Sequence, residues 1–386
     1  MTKVTVTTRG ASRWASGHPW IYRTDSRVPD GLESGDIVRV HDERGRFLGQ
    51  ACLSLTSKIT LRRISRSDQP VDVDFFRQRI AAAAQLRRSL FPGDNAWRVI
   101  HGDGDGLPGL VVDRYGEYLS VQFLIPAMDR RRDLLVPLLV EQFACKGIMN
   151  RSDSAVRALE GLPAEKGVLW GQVPDTVSIR EGQLELTVSL EHGQKTGSFL
   201  DQRENHLVAG RYAHGQALDC FSYIGGFALQ MARKAERVTA VDSSASACAQ
   251  IRENAALNRI GNVDVVNENA FEFLRAQVDD GRRYDTIVLD PPAFAKNRES
   301  IRSGLRGYKE INLRAMQLLN PGGYLITASC SHHIDEPAFE AMLQASAADA
   351  RREVQIIEKR GAGRDHPVLL ALRETRYLKC YVLRVT

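Results

Sequence analysis

The chain has 386 residues, 43% of them apolar and 26% charged, with a net charge of +5. That length exceeds one ordinary core, so two or three domains are expected. No apolar run approaches the roughly 18 residues of a membrane span, and the alternating Val and Thr after Met1 do not read as a secretory signal, so a cytoplasmic protein with no membrane partner is expected.

The basic excess is concentrated at one end. Residues 1–70 hold 12 Lys/Arg against 7 Asp/Glu, while the other 316 residues hold 40 of each. A basic module on a neutral body suits binding to a phosphate backbone, where each neutralised phosphate releases counterions. From Val4 to Ile64 the chain reads as short strands broken by turns, the pattern of a small β barrel or sandwich. Arg9, Arg13, Arg23 and Arg27 are interleaved there with Trp14, Trp20 and Tyr22. Cations beside stacking surfaces suit a nucleic-acid-facing loop, so Arg9, Arg13, Trp14 and Arg23 are candidate RNA contacts.

Ser65–Pro70 is polar and ends in proline, a reasonable boundary. Phe75–Leu90 reads as a helix stopped by Phe91-Pro92-Gly93. The run from His101 to Gly109 is shaped like part of a calcium loop, but it lacks the acidic ligand at loop position 12 and leads straight into the strand-like Leu110–Asp113, so it reads as a Gly/Asp turn. Val121–Leu124 and Leu184–Val188 read as strands and Arg131–Phe143 as a helix, giving an α+β connector. The domains expected are 1–68, a β module; 69–187, the connector; and 188–386.

From Gly215 onward strands and helices alternate. Strands are expected at Ala217-Leu218, Val238–Val241, Val263–Val266, Thr286–Leu289 and Tyr324–Thr327. Helices are expected at Phe227–Lys234, Ala245–Asn258, Ala270–Val278, Leu305–Leu319 and Glu336–Ala347. This is an α/β Rossmann-like pattern, a parallel sheet covered on both faces, with ligands bound beyond the carboxyl ends of its strands.

The residues at those ends carry the chemistry. The first strand closes on Asp219-Cys220-Phe221-Ser222-Tyr223-Ile224-Gly225-Gly226, where an acid precedes a glycine loop that lets a ligand approach the backbone. No G-x-G-x-x-G phosphate cradle is present. The second strand ends at Asp242, followed by Ser243, and an acid there can accept from both hydroxyls of a ribose. A ribose acid without a phosphate cradle favours S-adenosylmethionine. After the third strand, Asn269, Ala270 and Phe271 can present an amide and a ring to adenine.

The fourth strand ends Asp290-Pro291-Pro292-Ala293-Phe294, and the prolines stiffen its exit so that a carboxylate can be held against a planar base. The fifth ends Ser329-Cys330-Ser331-His332-His333. Carbon 5 of cytosine is a poor nucleophile, and thiolate attack on carbon 6 turns the ring into an enamine that can take a methyl group. Cys330 facing Asp290 is the arrangement that this chemistry needs. His332 either favours the thiolate or starts the next helix. The six cysteines contain no Cys-x-x-Cys pair, so neither a zinc ribbon nor a disulfide framework is read, and no metal is expected.

Four stretches together, Gly193–Arg203, Asp219–Tyr223, Asp290–Phe294 and Ser329–His333, resemble the RlmI-type bacterial large-subunit ribosomal RNA cytosine-C5 methyltransferases. Gly17-His18-Pro19-Trp20 resembles the start of that family's N-terminal PUA domain, and Asp105–Gly109 its central domain, so the likeness runs nearly end to end. The resemblance implies a PUA-like barrel, a central domain and a class I methyltransferase domain. It implies Cys330 as nucleophile and Asp290 as the group that orients the base. Phe221, Tyr223, Gly225, Asp242 and Asn269 would line the cofactor, and Gln202 and Arg203 would lie near its methionine part or the RNA. The sequence departs from the family pattern at Asn269, where an acid is commoner, and at Ser198, where an aromatic is commoner. It also lacks a second cysteine after the prolines.

The function implied is formation of 5-methylcytidine in 23S ribosomal RNA. The partners expected are that RNA and S-adenosylmethionine, with a homodimer left open. Two alternatives stand beside it: transfer to a base nitrogen, centred on Asp290-Pro291-Pro292, and a non-catalytic RNA-binding assembly factor.

Overall fold

The computed structural model describes residues 2–386. Packing divides the chain into two compact units. One comprises Met1–Arg180, Val188–Leu200 and Arg364–Thr375; the other comprises Glu181–Thr187, Asp201–Gly363 and Arg376–Thr386.

The first unit opens with β1 (Lys3–Val6), α1 (Thr8–Ala15), β2 (Trp20–Tyr22), β3 (Ser26–Arg27), β4 (Ile37–Asp42), β5 (Phe47–Leu53) and β6 (Ile59–Ser65). The six strands form one sheet in the order β2-β6-β5-β4-β1-β3. Helix α1 is a departure from the all-strand reading of this segment. Thr7 caps it, its Oγ1 accepting from Gly10 N at 3.2 Å, which satisfies one of the donors that a helix start leaves free. Gly10 then lets the helix lie against β3's approach, since a Cβ there would sit 3.0 Å from the Asp25 carbonyl.

Next come α2 (Val73–Leu90), β7 (Ala96–His101), β8 (Leu110–Tyr115), β9 (Tyr118–Phe123), α3 (Pro126–Asp129), α4 (Arg132–Phe143), β10 (Gly147–Ser152), α5 (Val156–Leu159) and β11 (Glu165–Gly171). The strands make a second sheet in the order β11-β10-β9-β8-β7. One apolar core joins it to α2 and α4, with Phe76, Ile80, Val99, Val112, Val121 and Leu139 at most 1% exposed. The Gly/Asp turn between β7 and β8 is held by ionic contacts within this unit. Asp105 Oδ2 accepts from Arg87 Nη2 at 2.8 Å and from His101 N at 2.6 Å, while Asp103 accepts from the Trp20 indole at 3.1 Å.

A hairpin of β12 (Val177–Glu181) and β13 (Leu184–Val188) follows. The second unit is then built from α6 (Arg203–Tyr212), β14 (Gln216–Cys220), α7 (Gly226–Ala232), β15 (Arg237–Asp242), α8 (Ala245–Leu257), β16 (Val263–Asn267), α9 (Ala270–Asp279), β17 (Tyr284–Leu289), α10 (Ile301–Leu318), β18 (Leu319–Ser329), α11 (Glu336–Ala350), β19 (Val354–Arg360) and β20 (Lys379–Val385). Its sheet runs β16-β15-β14-β17-β18-β20-β19. The five strands β14 to β18 are parallel, and β20 joins antiparallel to both β18 and β19. Chain order reverses between β14 and β17, which opens a crevice at their carboxyl ends. Buried on both faces, the central strands carry continuous apolar runs such as Ile287-Val288-Leu289, all fully buried. Helix α6 and the last two strands are additions to the pattern expected from sequence.

Arg87 is fully buried, and besides Asp105 it donates to the carbonyls of Arg98 and Asp365. Arg87→Leu leaves the Asp105 carboxylate buried without its partner, so the first unit is expected to lose about 3–5 kcal/mol. All four tryptophans, at 14, 20, 97 and 170, lie in that unit, and urea denaturation followed by tryptophan fluorescence measures the loss directly.

Candidate active site

The parallel register of the second unit brings five strand ends into one row. Asp219 in β14 pairs with Ala240 in β15 and with Val288 in β17, and Leu289 pairs with Thr327 in β18. Asp242, Asp290 and Cys330 therefore all lie at the carboxyl edge, together with the turn after β16.

The loop after β14 is strained. Phe221 and Tyr223 have φ of 67° and 50°, left-handed values that cost non-glycine residues about 1–3 kcal/mol each. Backbone bonds hold them there: Phe221 N and Ser222 N share the Val241 carbonyl at 2.9 and 3.1 Å, and Tyr223 N donates to Asp242 Oδ2 at 2.9 Å. Gly225, with φ of 90°, starts α7 in a conformation open to glycine.

Asp219 is fully buried beneath this loop. Its Oδ2 accepts from Ala228 N at 3.0 Å. The Ser222 hydroxyl donates to the Asp219 carbonyl at 2.8 Å, which leaves Oδ1 without a donor among the described residues. Burial pushes the carboxyl up to about 7. A buried oxygen with an unused lone pair suits a cation, and S-adenosylmethionine carries two cationic centres. His206 lies under the same loop with Nδ1 2.8 Å from Glu181 Oε1. Burial alone would lower this imidazole, but the charge and hydrogen bond of Glu181, together with the Asp290 and Asp219 charges, raise it.

Asp242 is half-buried, and its Oδ1 accepts from Ser244 N at 2.8 Å; Ser243 beside it is exposed. Asn269 caps α9, its Oδ1 accepting from Phe271 N at 2.9 Å. That oxygen is committed to the helix, and the amide NH₂ is what the residue offers outward. Phe221, Phe271 and Phe294 form a triangle with centroids 5.6 to 6.4 Å apart, a half-buried apolar surface fit for a purine ring. Ala270 is buried in the first turn of α9.

Asp290 is held by a relay. Gln202 Nε2 donates to Asp290 Oδ1 at 2.7 Å, Asn205 Nδ2 donates to Gln202 Oε1 at 2.6 Å, and Arg360 Nε donates to Asn205 Oδ1 at 2.8 Å. Cys330 Sγ lies 4.0 Å from the Pro291 carbonyl and is half-exposed, whereas the other five cysteines are buried. The thiol thus stands at the exit of β18 against the stiffened exit of β17. Ser331 ties the two exits together, its Oγ accepting from Ala295 N at 3.1 Å and lying 3.0 Å from the Tyr308 hydroxyl.

Three expected site residues, Cys220, Trp14 and Arg23, are placed differently. The Cys220 side chain is sealed in the core, and burial raises its thiol far above the ordinary range, so only its backbone takes part, its carbonyl accepting from Asp290 N at 3.5 Å. Trp14 is 3% exposed, its indole donating to the Leu48 carbonyl at 2.9 Å, so it is a core residue and offers no face for stacking. Its neighbours on α1 do face outward. Arg9 and Arg13 both pair with Asp25, and they line an open cleft of about 840 Å³ with Thr8, Ser12, His18 and Arg373. Arg23 is turned instead to the carbonyls of Leu55, Thr56 and Ser57. Arg203 is buried at the start of α6. The sequence reading missed Arg373, 364 positions from Arg9, and the Asn205 to Arg360 link. Among the described residues no group of three His, Cys, Asp or Glu is disposed to hold a metal ion.

A parallel sheet with an acid at the ends of β14 and β15, a strained glycine loop between them and an aromatic triangle beside them defines an S-adenosylmethionine-dependent methyltransferase, here carrying a PUA-like module. Comparison with known proteins agrees: residues 4–66 match a PUA-like domain, and residues 149–368 match the S-adenosylmethionine-dependent methyltransferase family. The "Ribosomal RNA large subunit methyltransferase I" of Erwinia tasmaniensis is 39% identical over 377 residues, 95% of each chain, and that of Shewanella frigidimarina is 40% identical over 379 residues, 95% of each. A SAM-dependent methyltransferase structure from Streptococcus mutans shares the fold over the whole of both chains, with a TM-score of 0.85 at 22% identity. The chain belongs to the ribosomal RNA large subunit methyltransferase I family, and its cofactor is S-adenosylmethionine.

Gly226 tests how tightly the loop is packed. A Cβ there would lie 2.7 Å from His206 Nδ1, in a ring pinned by Glu181 and the edge of Phe227. Gly226→Ala is expected to destabilise the second unit by about 1–3 kcal/mol through overpacking, and thermal denaturation monitored by circular dichroism checks this.

Proposed function

We propose that this protein methylates carbon 5 of a cytosine in 23S ribosomal RNA through a covalent adduct of Cys330 with carbon 6. One observation carries the reading: the half-exposed Cys330 sulfur lies at the exit of β18, 4.0 Å from the carbonyl that follows Asp290. Ribosomal RNA is what the related proteins act on by name, and the cytosine position is our inference from the thiol. We take 1–68, 69–187 and 188–386 as the domains that bind RNA, connect and catalyse.

S-adenosylmethionine supplies an electrophilic methyl group. The chain's residues do the rest. Asp219, with its unused oxygen, would hold a cationic part of the cofactor, Asp242 the ribose, and Phe221, Phe271 and the Asn269 amide the adenine. Tyr223, Gly225, Ser243 and Ala270 shape the wall, with Gln202 and Arg203 on the methionine side. A cytosine displaced from its stack would dock with its polar edge on Asp290, whose orientation Gln202 fixes. The Cys330 thiolate would bond to carbon 6 and make carbon 5 the nucleophilic end of an enamine, to which the cofactor would supply its methyl group. Loss of the carbon 5 proton to a base and cleavage of the S–C6 bond restore the ring and the thiolate.

Cys330→Ala is the direct test. Methyl transfer to ribosomal RNA is expected to fall at least about a thousandfold, the scale set by loss of a nucleophile, while calorimetry shows S-adenosylmethionine binding retained. Activity near that of the wild type, with an N-methylated nucleoside in the digest, would move the reaction to a base nitrogen and to Asp290; tight RNA binding without transfer in the unaltered protein would leave an assembly factor.

The cleft of Arg9, Arg13 and Arg373 supports RNA binding by the first unit, since hydroxyls and guanidinium groups on one wall match a phosphate backbone. Arg9→Ala and Arg373→Ala are each expected to weaken RNA binding regardless of sequence. Each should lower the slope of log K against log salt by about 1 in a filter-binding titration.

A further inference from the structure

Strand β20 places a basic residue where an apolar one would be expected. It pairs antiparallel with β18 in a register that sets Lys379 opposite Ser329 and Cys380 opposite Ala328. Cys380 points into the core, completely buried. Lys379, one position earlier, is only 6% exposed, and its ammonium sits among backbone oxygens: Nζ donates to the Ser331 carbonyl at 2.7 Å and to the Tyr377 carbonyl at 2.8 Å. Lys379 thereby brackets Cys330, which lies between Ser329, the residue paired with Lys379, and Ser331, the residue whose carbonyl its ammonium holds.

A buried ammonium is costly unless an anion compensates it, and no ion pair with a described carboxylate does so here. Burial lowers the Lys379 ammonium to about 8, and the influences acting the other way are, in order, the negative charge that Cys330 can carry and the carboxylates of Asp335 and Glu336. Coupling of this kind is mutual, so a thiolate that steadies the ammonium is steadied by it to the same extent.

We propose that Lys379 is a positioning residue for the covalent step: fixed on the Ser331 carbonyl, its positive charge favours the thiolate form of Cys330 and so sets the pH range in which the sulfur can attack. The proton leaves the thiol for solvent and the lysine keeps its own, so no further reactant is needed. A purely architectural lysine would clamp Ser331 and Tyr377 without altering the acidity of the thiol.

This inference rests on the reading of Cys330 as the nucleophile, and its test is independent of turnover. The rate of iodoacetamide alkylation at the Cys330 peptide is followed by mass spectrometry from pH 5.5 to about 10 in the full-length protein, without RNA or cofactor; the remaining cysteines are buried. The wild-type midpoint is expected below the roughly 8.5 of an ordinary cysteine. In Lys379→Met it should rise by about one pH unit, which is about tenfold slower alkylation at neutral pH, and Lys379→Arg should restore most of the difference. An unmoved midpoint in a Lys379→Met protein with wild-type circular dichroism overturns the proposal. So does a wild-type midpoint at or above 8.5, a result that needs no variant to fold. Loss of methylation in Cys330→Ala with an unshifted alkylation profile would leave the nucleophile standing and remove only the role of Lys379.

Discussion

The pairing of β17 with β18 is the constraint on which the site depends. With Leu289 opposite Thr327, β17 stops two residues before β18 ends at Ser329, so that a carboxylate follows Leu289 on one strand and a thiol stands three positions after Thr327 on the other. A slip of one residue in that register would turn every side chain of β18 to the opposite face of the sheet, carrying the core residues Leu325 and Ile326 out of their clusters. The apolar packing that stabilises the sheet therefore also fixes the spacing of the carboxylate and the thiol. Ser331 extends the same control past the strand end, bonding both to the backbone after the double proline and to Tyr308 on α10.

Around this pair the site concentrates features that folding alone would avoid. Two aromatic residues are held in left-handed backbone conformations, a carboxylate oxygen is buried without a donor among the described residues, and a lysine is buried on carbonyls. Each is unfavourable by itself. In a dry, rigid setting such charges act more strongly than they would in water. The relay from Arg360 through Asn205 and Gln202 to Asp290 adds rigidity, since every amide in it is bonded at both ends and the carboxylate inherits a fixed direction.

Much of this was legible in the sequence because strand ends in an alternating α/β pattern are places where chemistry collects. The acids, the double proline and the Ser329-Cys330-Ser331 run stood at such ends and could be read from position alone. Long-range partnerships could not. Lys379 gave one local signal, a lone charge in the apolar run Leu378-Lys379-Cys380-Tyr381-Val382, but nothing there named Ser331 as its partner. Arg373 carries no motif and reaches the cleft of α1 only through the return of residues 364–375 to the first unit. Trp14 misled for the opposite reason: its arginine neighbours suggested a binding surface, and the unread helix α1 turned the indole inward while Arg9 and Arg13 stayed outside. Helix spacing puts Arg9 and Arg13, four residues apart, on one face and turns Trp14 away from it.

The return of residues 364–375 also bears on how the chain reaches its native state on the ribosome. Asp365 supplies a carbonyl to the buried Arg87 guanidinium and a carboxylate oxygen to Arg98 N, yet it is synthesised more than 250 residues after either. Vectorial synthesis normally lets an N-terminal module finish before its successor appears. Here the amino-terminal body waits with part of its polar interior unsatisfied until nearly the whole polypeptide has been made, so its completion is timed by translation of the catalytic domain.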